Sequence, residues 1–196
     1  MVAGASVLER ATRGDRDALA ELWRAHHPAV LRYLRTRAVS SAEDVASTVW
    51  LDVGSAISRF TGDGDDFRRW LFTIAHRRSV DELRRTVRRR ANGQAPGSDG
   101  DVHDRRHRDD LTASSEDSYE DGASLDRAIE LVRRLPPEMA EAVMLRIVND
   151  LTYNDVAKIL GTSEGNVRVL VHRGLRSLRT KVAVTNADGS TMYMVS

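Results

Sequence analysis

The residues best suited to chemistry here are arginines, asparagine and histidine set out for contact with DNA. They fall between Leu151 and Arg179, where the spacing reads as a helix-turn-helix. Thr152 is placed to cap a first helix carrying Val156, Ala157, Ile159 and Leu160. Gly161 sits where the turn needs a positive φ, and Thr162 or Ser163 caps a second helix with Glu164 in its first turn. Val167 and Leu170 then face the first helix. Asn166, Arg168, Val169, His172 and Arg173 are left on the outer face. In this motif the second helix enters the major groove and reads bases from its N-terminal half. Arginine there can pair with guanine through two hydrogen bonds, and asparagine with adenine. Arg176, Arg179 and Lys181 follow on the same helix and suit phosphates. A plain helical hairpin with a solvated basic face is the alternative. Agreement at Val156, Ala157, Leu160, Gly161, Val167 and Leu170 together favours the DNA reading.

A second concentration of charge lies at Phe67–Arg90. It holds Arg68, Arg69, Arg77, Arg78, Arg84, Arg85, Arg88, Arg89 and Arg90 against Asp81 and Glu82. Such density suits contact with a polyphosphate backbone. Trp50, Phe60, Phe67, Trp70 and Phe72 cluster beside it. Unpaired bases stack on aromatics among arginines. Helical spacing makes most of these rings core residues, Phe67 and Trp70 above all.

Other arrangements carry less. His26 and His27 are adjacent, so they point to different sides of a helix and cannot share a metal readily. Glu43, Asp44 and Asp52 could be grouped as the carboxylates of a metal-dependent nuclease, but a helix cap and a solvated face account for them better. His103 and His107 lie among aspartates and offer weak metal binding at most. There is no P-loop, dinucleotide fingerprint or nucleophile elbow. No cofactor is expected. With no cysteine there is no disulfide, thiolate metal site or cysteine nucleophile, so any redox sensing belongs to a partner.

The elements that must position these residues are helices throughout. In the first module Leu19, Leu22, Trp23, Val30, Leu31 and Leu34 recur at helical spacing, and Pro28 is expected to kink or break that helix. Ser40 or Ser41 caps the next helix, with Glu43 and Asp44 in its first turn. Val45, Val49, Val53, Ile57 and Phe60 continue it. Residues 61–65 form a loop before the arginine-rich helix, whose inner face is Phe67, Leu71, Ile74, Ala75 and Leu83. In the second module Ile129, Val132 and Leu135 form a short helix stopped by Pro136-Pro137. Met139, Val143, Leu145 and Ile147 form another. No strand pattern is convincing.

The 196 residues carry 30 basic and 29 acidic side chains, a net charge of +1. That figure conceals a division. Only Lys158 and Lys181 are lysines, and the arginine fork suits phosphate and base stacking better than an ammonium does. Residues 91–124 hold nine acids and three arginines, so the remainder of the chain stands at +7. This acidic segment is rich in Gly, Asp and Ser and poor in apolar residues, and reads as a flexible linker. The expected division is 1–90, a first helical module; 91–124, the linker; 125–182, the helix-turn-helix module; and 183–196, a disordered tail. No apolar run approaches a membrane span, and the N-terminus lacks the pattern of a signal peptide, so a soluble cytoplasmic protein without membrane insertion is expected.

Taken together these segments resemble a family. Ala42-Glu43-Asp44, Phe67-Arg-Arg-Trp-Leu-Phe-Thr-Ile-Ala-His-Arg-Arg78 and Asp81-Glu-Leu-Arg-Arg85 resemble the second conserved region of bacterial sigma factors. Leu135-Pro-Pro137, Leu151-Thr-Tyr-Asn-Asp-Val-Ala157, Glu164-Gly-Asn-Val-Arg168 and His172-Arg173-Gly-Leu-Arg176 resemble the fourth. Two such regions on a variable linker are the layout of the extracytoplasmic-function (ECF) group. The resemblance implies an all-α protein of two small helical domains, a promoter-melting bundle and a helix-turn-helix. It implies an initiation factor, not an enzyme. It implies binding to core RNA polymerase, at the clamp of the largest subunit and the flap of the second-largest, and recognition of promoter DNA. An anti-sigma factor is a further partner it admits. The clamp contact falls to Asp44, Val45 and Thr48. The minus-ten element, as a single strand, falls to Phe60, Trp70, His76, Arg77 and Arg84. The minus-thirty-five element falls to Asn166, Arg168, Val169, His172, Arg173 and Arg176. Ser47 stands where the family usually has Gln, Arg77 where Asn is common, and Leu170 where Arg is frequent. An ordinary regulator, whose first module senses or dimerises, is the other reading; it would bind an operator without polymerase.

Overall fold

The computed structural model describes residues 6–37, 39, 41–92 and 127–189, with side chains described to 180. The linker reading for 91–124 and the histidines within it fall almost wholly outside these residues, as do 190–196. The described residues form helices α1 (Val7–Thr12), α2 (Arg16–Thr36), α3 (Ala42–Ala56), α4 (Gly64–Ala91), α5 (127–133), α6 (Pro137–Val143), α7 (Tyr153–Leu160) and α8 (Glu164–Gly189). No strand occurs among them, as the all-α reading expects.

Local chemistry sets most helix starts. Ser6 and Glu9 form a capping box on α1, and Asp15 caps α2. Ser41, the second of the two candidates, caps α3 through Asp44 N–H at 3.3 Å. Asp63 caps α4 and shares a capping box with Asp66. That cap starts α4 at Gly64, so the loop before it is shorter than the 61–65 expected.

Pro28 does not break α2, which runs unbroken from Arg16 to Thr36. Pro28 and Arg24, whose carbonyl loses its partner, are both exposed, so the ring and the orphan oxygen can face water. Burial of Ala18, Leu22, Val30, Tyr33 and Leu34 on one side holds the helix across the gap. Trp23 leaves that buried stripe: it is exposed and stacks on His27 at 4.6 Å.

The first module's core joins those residues to Val45, Ala46, Val49 and Val53 of α3 and to Phe67, Leu71, Phe72 and Ala75 of α4. Ile74 and Leu83 are only half-buried, and Phe72 and Ser79 take the deeper places. Arg78 clamps α4 to α3 by donating twice to Asp52, at 2.6 and 2.5 Å.

In the second module α6 passes into a π-helical turn, Met144–Val148, closed by Asn149 N–H to the Met144 carbonyl at 2.9 Å. The wider turn rotates the chain, so Met144 and Leu145 are buried and Ile147, expected inside, is exposed. Asp150 then reverses the chain with φ 51°, a value that Asp tolerates better than most residues. Helix α8 continues seven residues past the expected boundary at 182, to Gly189.

The crossing of α8 with α6 depends on Gly174, which is buried. A Cβ there would lie 2.7 Å from Val143 Cγ2 and 3.5 Å from Leu135 Cδ1. Helical propensity alone favours alanine over glycine by about 1 kcal/mol. The clash reverses the sign. Gly174→Ala is expected to lower stability by about 1–3 kcal/mol, read as a lower thermal midpoint for the second module. An unchanged or higher midpoint would show that the crossing has slack.

Candidate nucleic-acid interface

The helix-turn-helix forms as its spacing predicts. Thr152 Oγ1 accepts from Asp155 N–H at 3.1 Å and starts α7. Gly161 adopts φ 63°, ψ 36°, the left-handed conformation that ends α7. Ser163, rather than Thr162, accepts the Asn166 N–H at 3.2 Å and starts α8. Val156 and Ala157 of α7 meet Val167 and Val171 of α8 in the core. Leu170 is half-buried. Val171 and Gly174 complete the inner stripe at i+4 and i+7 from Val167, a continuation that the spacing already contained.

All five residues expected on the outer face of α8, Asn166, Arg168, Val169, His172 and Arg173, are exposed, and so is Arg176, the sixth residue given to the minus-thirty-five element. Two are already engaged. Asn166 Nδ2 donates to Thr162 Oγ1 at 3.0 Å. Arg168 pairs with Glu164, one turn back, and its guanidinium lies 4.4 Å from the centroid of the Tyr153 ring. Arg146 sits 4.9 Å from the same centroid. Tyr153, the first residue of α7, therefore gives Arg168 a platform. Sequence reasoning placed Arg168 but had no signal for the ring beneath it.

On the first module Phe60 and Trp70 line one open cleft with Arg59, Thr61, Arg69 and Thr73. Their ring centroids are 5.2 Å apart with planes inclined by 34°. Phe67 packs behind both, at 5.9 and 6.0 Å, and is buried. The three aromatics divide the work: Phe67 belongs to the core, whereas Trp70, expected there too, is half-buried and faces the cleft. Arg77 and Arg84 follow Trp70 at intervals of seven, two helical turns each, so the three share one face of α4. Both arginines are exposed and make no ion pair with described residues.

His76 stands apart. It turns away from that face, and its Nδ1 lies 2.8 Å from Glu141 Oε1 and 3.2 Å from Tyr33 Oη. The arginine count also overstates the free charge. Arg68, Arg69, Arg78, Arg85 and Arg89 pair with Asp65, Asp66, Asp52 and Glu82 within the first module. Arg69 also reaches Asp155 of α7, at 3.3 Å.

Asp44, Val45 and Thr48 line a separate cleft with Ser41, Arg78, Glu82, Arg85 and Arg89. Asp44 is exposed and Thr48 half-exposed, but Val45 is mostly core, 7% exposed. The proposed acid cluster dissolves: Asp52 is held by Arg78, whose hydrogen bonds and charge keep its carboxyl below the usual range. His26 packs on Phe67 at 5.4 Å while His27 stacks on Trp23, so the two histidines diverge. Burial, then the nearby charge of Arg68, lowers the His26 pKa. No group of three or more potential metal ligands occurs among the described residues. No described helix is long and apolar enough to cross a membrane.

Comparison with known proteins agrees with this geometry. Residues 22–89 match Sigma-70 region 2, and residues 125–178 match Sigma-70, region 4. The chain is 31% identical to the ECF RNA polymerase sigma factor BldN of Streptomyces coelicolor, over 88% of its own length and 63% of that protein's. It is 31% identical to the ECF sigma factor SigD of Mycobacterium tuberculosis, over 90% of its length and 82% of the relative's. With ShbA of Streptomyces griseus the figures are 33%, 89% and 92%. Two solved structures share the fold. One is CnrH in complex with the cytosolic domain of CnrY: TM-score 0.57, 18% identity, covering 91% of this chain and 96% of that one. The other is the sigma factor RpoE with the anti-sigma factor NepR from Bartonella quintana: TM-score 0.58, 19% identity, 84% and 96%. With both regions present in order, and with relatives of 31–33% identity covering most of each chain, the chain belongs to the ECF sigma factors of bacterial RNA polymerase.

Proposed function

We propose that the chain binds core RNA polymerase in the cytoplasm and directs it to promoters through two separate DNA contacts. The observation that carries this reading is the pairing of an open aromatic cleft at Phe60 and Trp70 with an exposed face at Asn166–Arg176 on the other module. The module within 1–90 grips the clamp of the largest subunit along α3, with Asp44 and Thr48 at the contact and Val45 beneath them. It holds the unpaired minus-ten strand with Phe60 and Trp70 against the bases and Arg77 and Arg84 along the phosphates. The module within 125–182 engages the flap of the second-largest subunit and reads the minus-thirty-five element with Asn166, Arg168, Val169, His172, Arg173 and Arg176.

This work is not catalysis by the chain. Strand opening costs a few kcal/mol per unstacked base, and capture of the base on an aromatic surface returns an amount of the same order. No covalent step is needed. An anti-sigma protein is a further partner in this reading.

The purified chain is expected to co-elute with core polymerase in gel filtration. The mixture should then give discrete transcripts from genomic DNA, absent with core alone. No co-elution, or sequence-specific duplex binding by the free chain at full strength, would instead support an ordinary regulator.

A further inference from the structure

Val169 differs in kind from the rest of the outer face of α8. It is an apolar side chain, 43% exposed, among the exposed polar groups of Asn166, Arg168, His172 and Arg173. Asn166 and His172 stand three residues before and after it, and Arg173 four after, so Val169 lies at the centre of that face. Packing does not account for valine there. The core contacts of this stretch fall to Val167 and Val171, both buried. Propensity does not account for it either, since a β-branched side chain forms helix less readily than alanine. Single exposed valines are ordinary on a protein surface. What gives this one meaning is the residue one turn before it.

Gly165, at i−4 from Val169, is exposed and lies within α8 with a negative φ. A Cβ there would meet only Ser163 Oγ, at 4.0 Å. Neither conformation nor packing requires glycine, and alanine would suit the helix better. Glycine in such a place leaves bare backbone, which lets a ligand come close. The face is therefore a shallow step, with bare backbone at Gly165 and two methyl groups at Val169, bordered by polar side chains. Two of those are already engaged: Asn166 with Thr162, and Arg168 with Glu164 and the Tyr153 ring.

The edges of the bases decide what fits this step. In the major groove guanine shows two acceptors, cytosine an amino donor, and adenine an acceptor and a donor. Thymine alone shows a methyl group, beside its O4 acceptor. Valine methyls pressed on the other three edges would cut polar groups off from water without giving them a partner. Against thymine, apolar surface is buried on both sides. The stiff χ1 of valine means that little side-chain freedom is lost in making the contact. We propose that Val169 is a specificity-determining residue that reads the C5-methyl group of one thymine in the minus-thirty-five element, and that the bare backbone at Gly165 admits the base edge to it. This rests on the reading of α8 as the helix that enters that element.

The test uses holoenzyme assembled from the full chain and core polymerase, on templates randomised across the minus-thirty-five element. The wild type should prefer thymine at one position, and Val169→Ala should lose that preference while keeping the others. Deoxyuridine is then placed for that thymine, which deletes the methyl group and keeps every hydrogen-bonding group. Wild-type transcription should fall roughly threefold to fivefold, the effect of burying about one methyl group. Val169→Ala should treat the two bases alike. C5-methylcytosine should outperform cytosine at that position with the wild type only. Gly165→Ala should hold or raise the thermal midpoint and yet reduce transcription from the thymine template. Equal use of thymine and deoxyuridine by the wild type, or an equal penalty in both proteins, overturns the methyl contact. Undiminished transcription with Gly165→Ala overturns the close approach. If Arg168→Ala and Val169→Ala both leave preference unchanged at every position, α8 does not read the element, and the underlying reading falls together with this inference. A preference altered by Arg168→Ala alone leaves that reading standing and overturns only the thymine contact.

Discussion

Replacing Phe60 and Trp70 together by alanine is expected to abolish most transcription from a mapped promoter while leaving the complex with core polymerase intact. The two rings are half-buried, face a shared cleft and rest on Phe67, which stays in the core. Removing them therefore strips the cleft without opening the hydrophobic centre. Each base stacked on an aromatic side chain contributes about 1–3 kcal/mol, so loss of both surfaces should cost roughly 10²–10⁴-fold in open complexes if two bases are held. The loss should be far smaller on a template already unpaired across the minus-ten region, because the cost of melting is then removed. A comparison of duplex and pre-melted templates in run-off transcription checks this. Equal losses on both would place the rings in some later step, and no loss would remove them from the strand contact. Phe67→Ala provides the contrast. It should lower the thermal midpoint, since truncating a buried phenylalanine typically costs about 3–5 kcal/mol.

Much of this arrangement is legible in the sequence because single side chains do single local jobs. Ser41, Thr152 and Gly161 announce helix boundaries, and Val156, Ala157 and Val167 announce a helix crossing; the structure places each in that role. What escapes is what several distant residues do jointly. Tyr33 and Glu141 carry no motif, the family resemblance gives His76 to the minus-ten strand instead, and their meeting spans 108 positions from Tyr33 to Glu141. Periodicity is blind to such contacts. The π turn at Met144–Val148 escapes for another reason: it changes the period itself, so Ile147 counts as inside by α-helical spacing and is outside in fact. Pro28 shows that buried packing on either side of an exposed proline can outweigh a lost hydrogen bond. The arginine helix carries the opposite lesson. Nine arginines suggest one broad phosphate-binding face, but α4 divides them by direction. Arg78 and Arg69 bind acids of neighbouring elements, while Arg77 and Arg84 extend the line of Trp70.

Arg168→Ala is expected to reduce recognition of the minus-thirty-five element by about 1–3 kcal/mol, roughly tenfold to a hundredfold in promoter selectivity. Arg168 is held on Tyr153 and paired with Glu164 before any DNA arrives. That support should make the variant's effect depend on its neighbours. Tyr153→Leu keeps apolar bulk at the start of α7 and removes the ring face. It should reproduce part of the Arg168→Ala loss, and add little when Arg168 is already alanine. Tyr153→Phe retains the face and should stay near the wild type. The double-variant cycle, measured as transcription from promoters differing at single minus-thirty-five positions, isolates this coupling. Additive losses would show that the ring and the guanidinium act separately. If Arg168→Ala instead weakens all sequences equally, the guanidinium contacts phosphate, and selectivity passes to Asn166, Val169, His172 and Arg173, which share the exposed surface of the same helix.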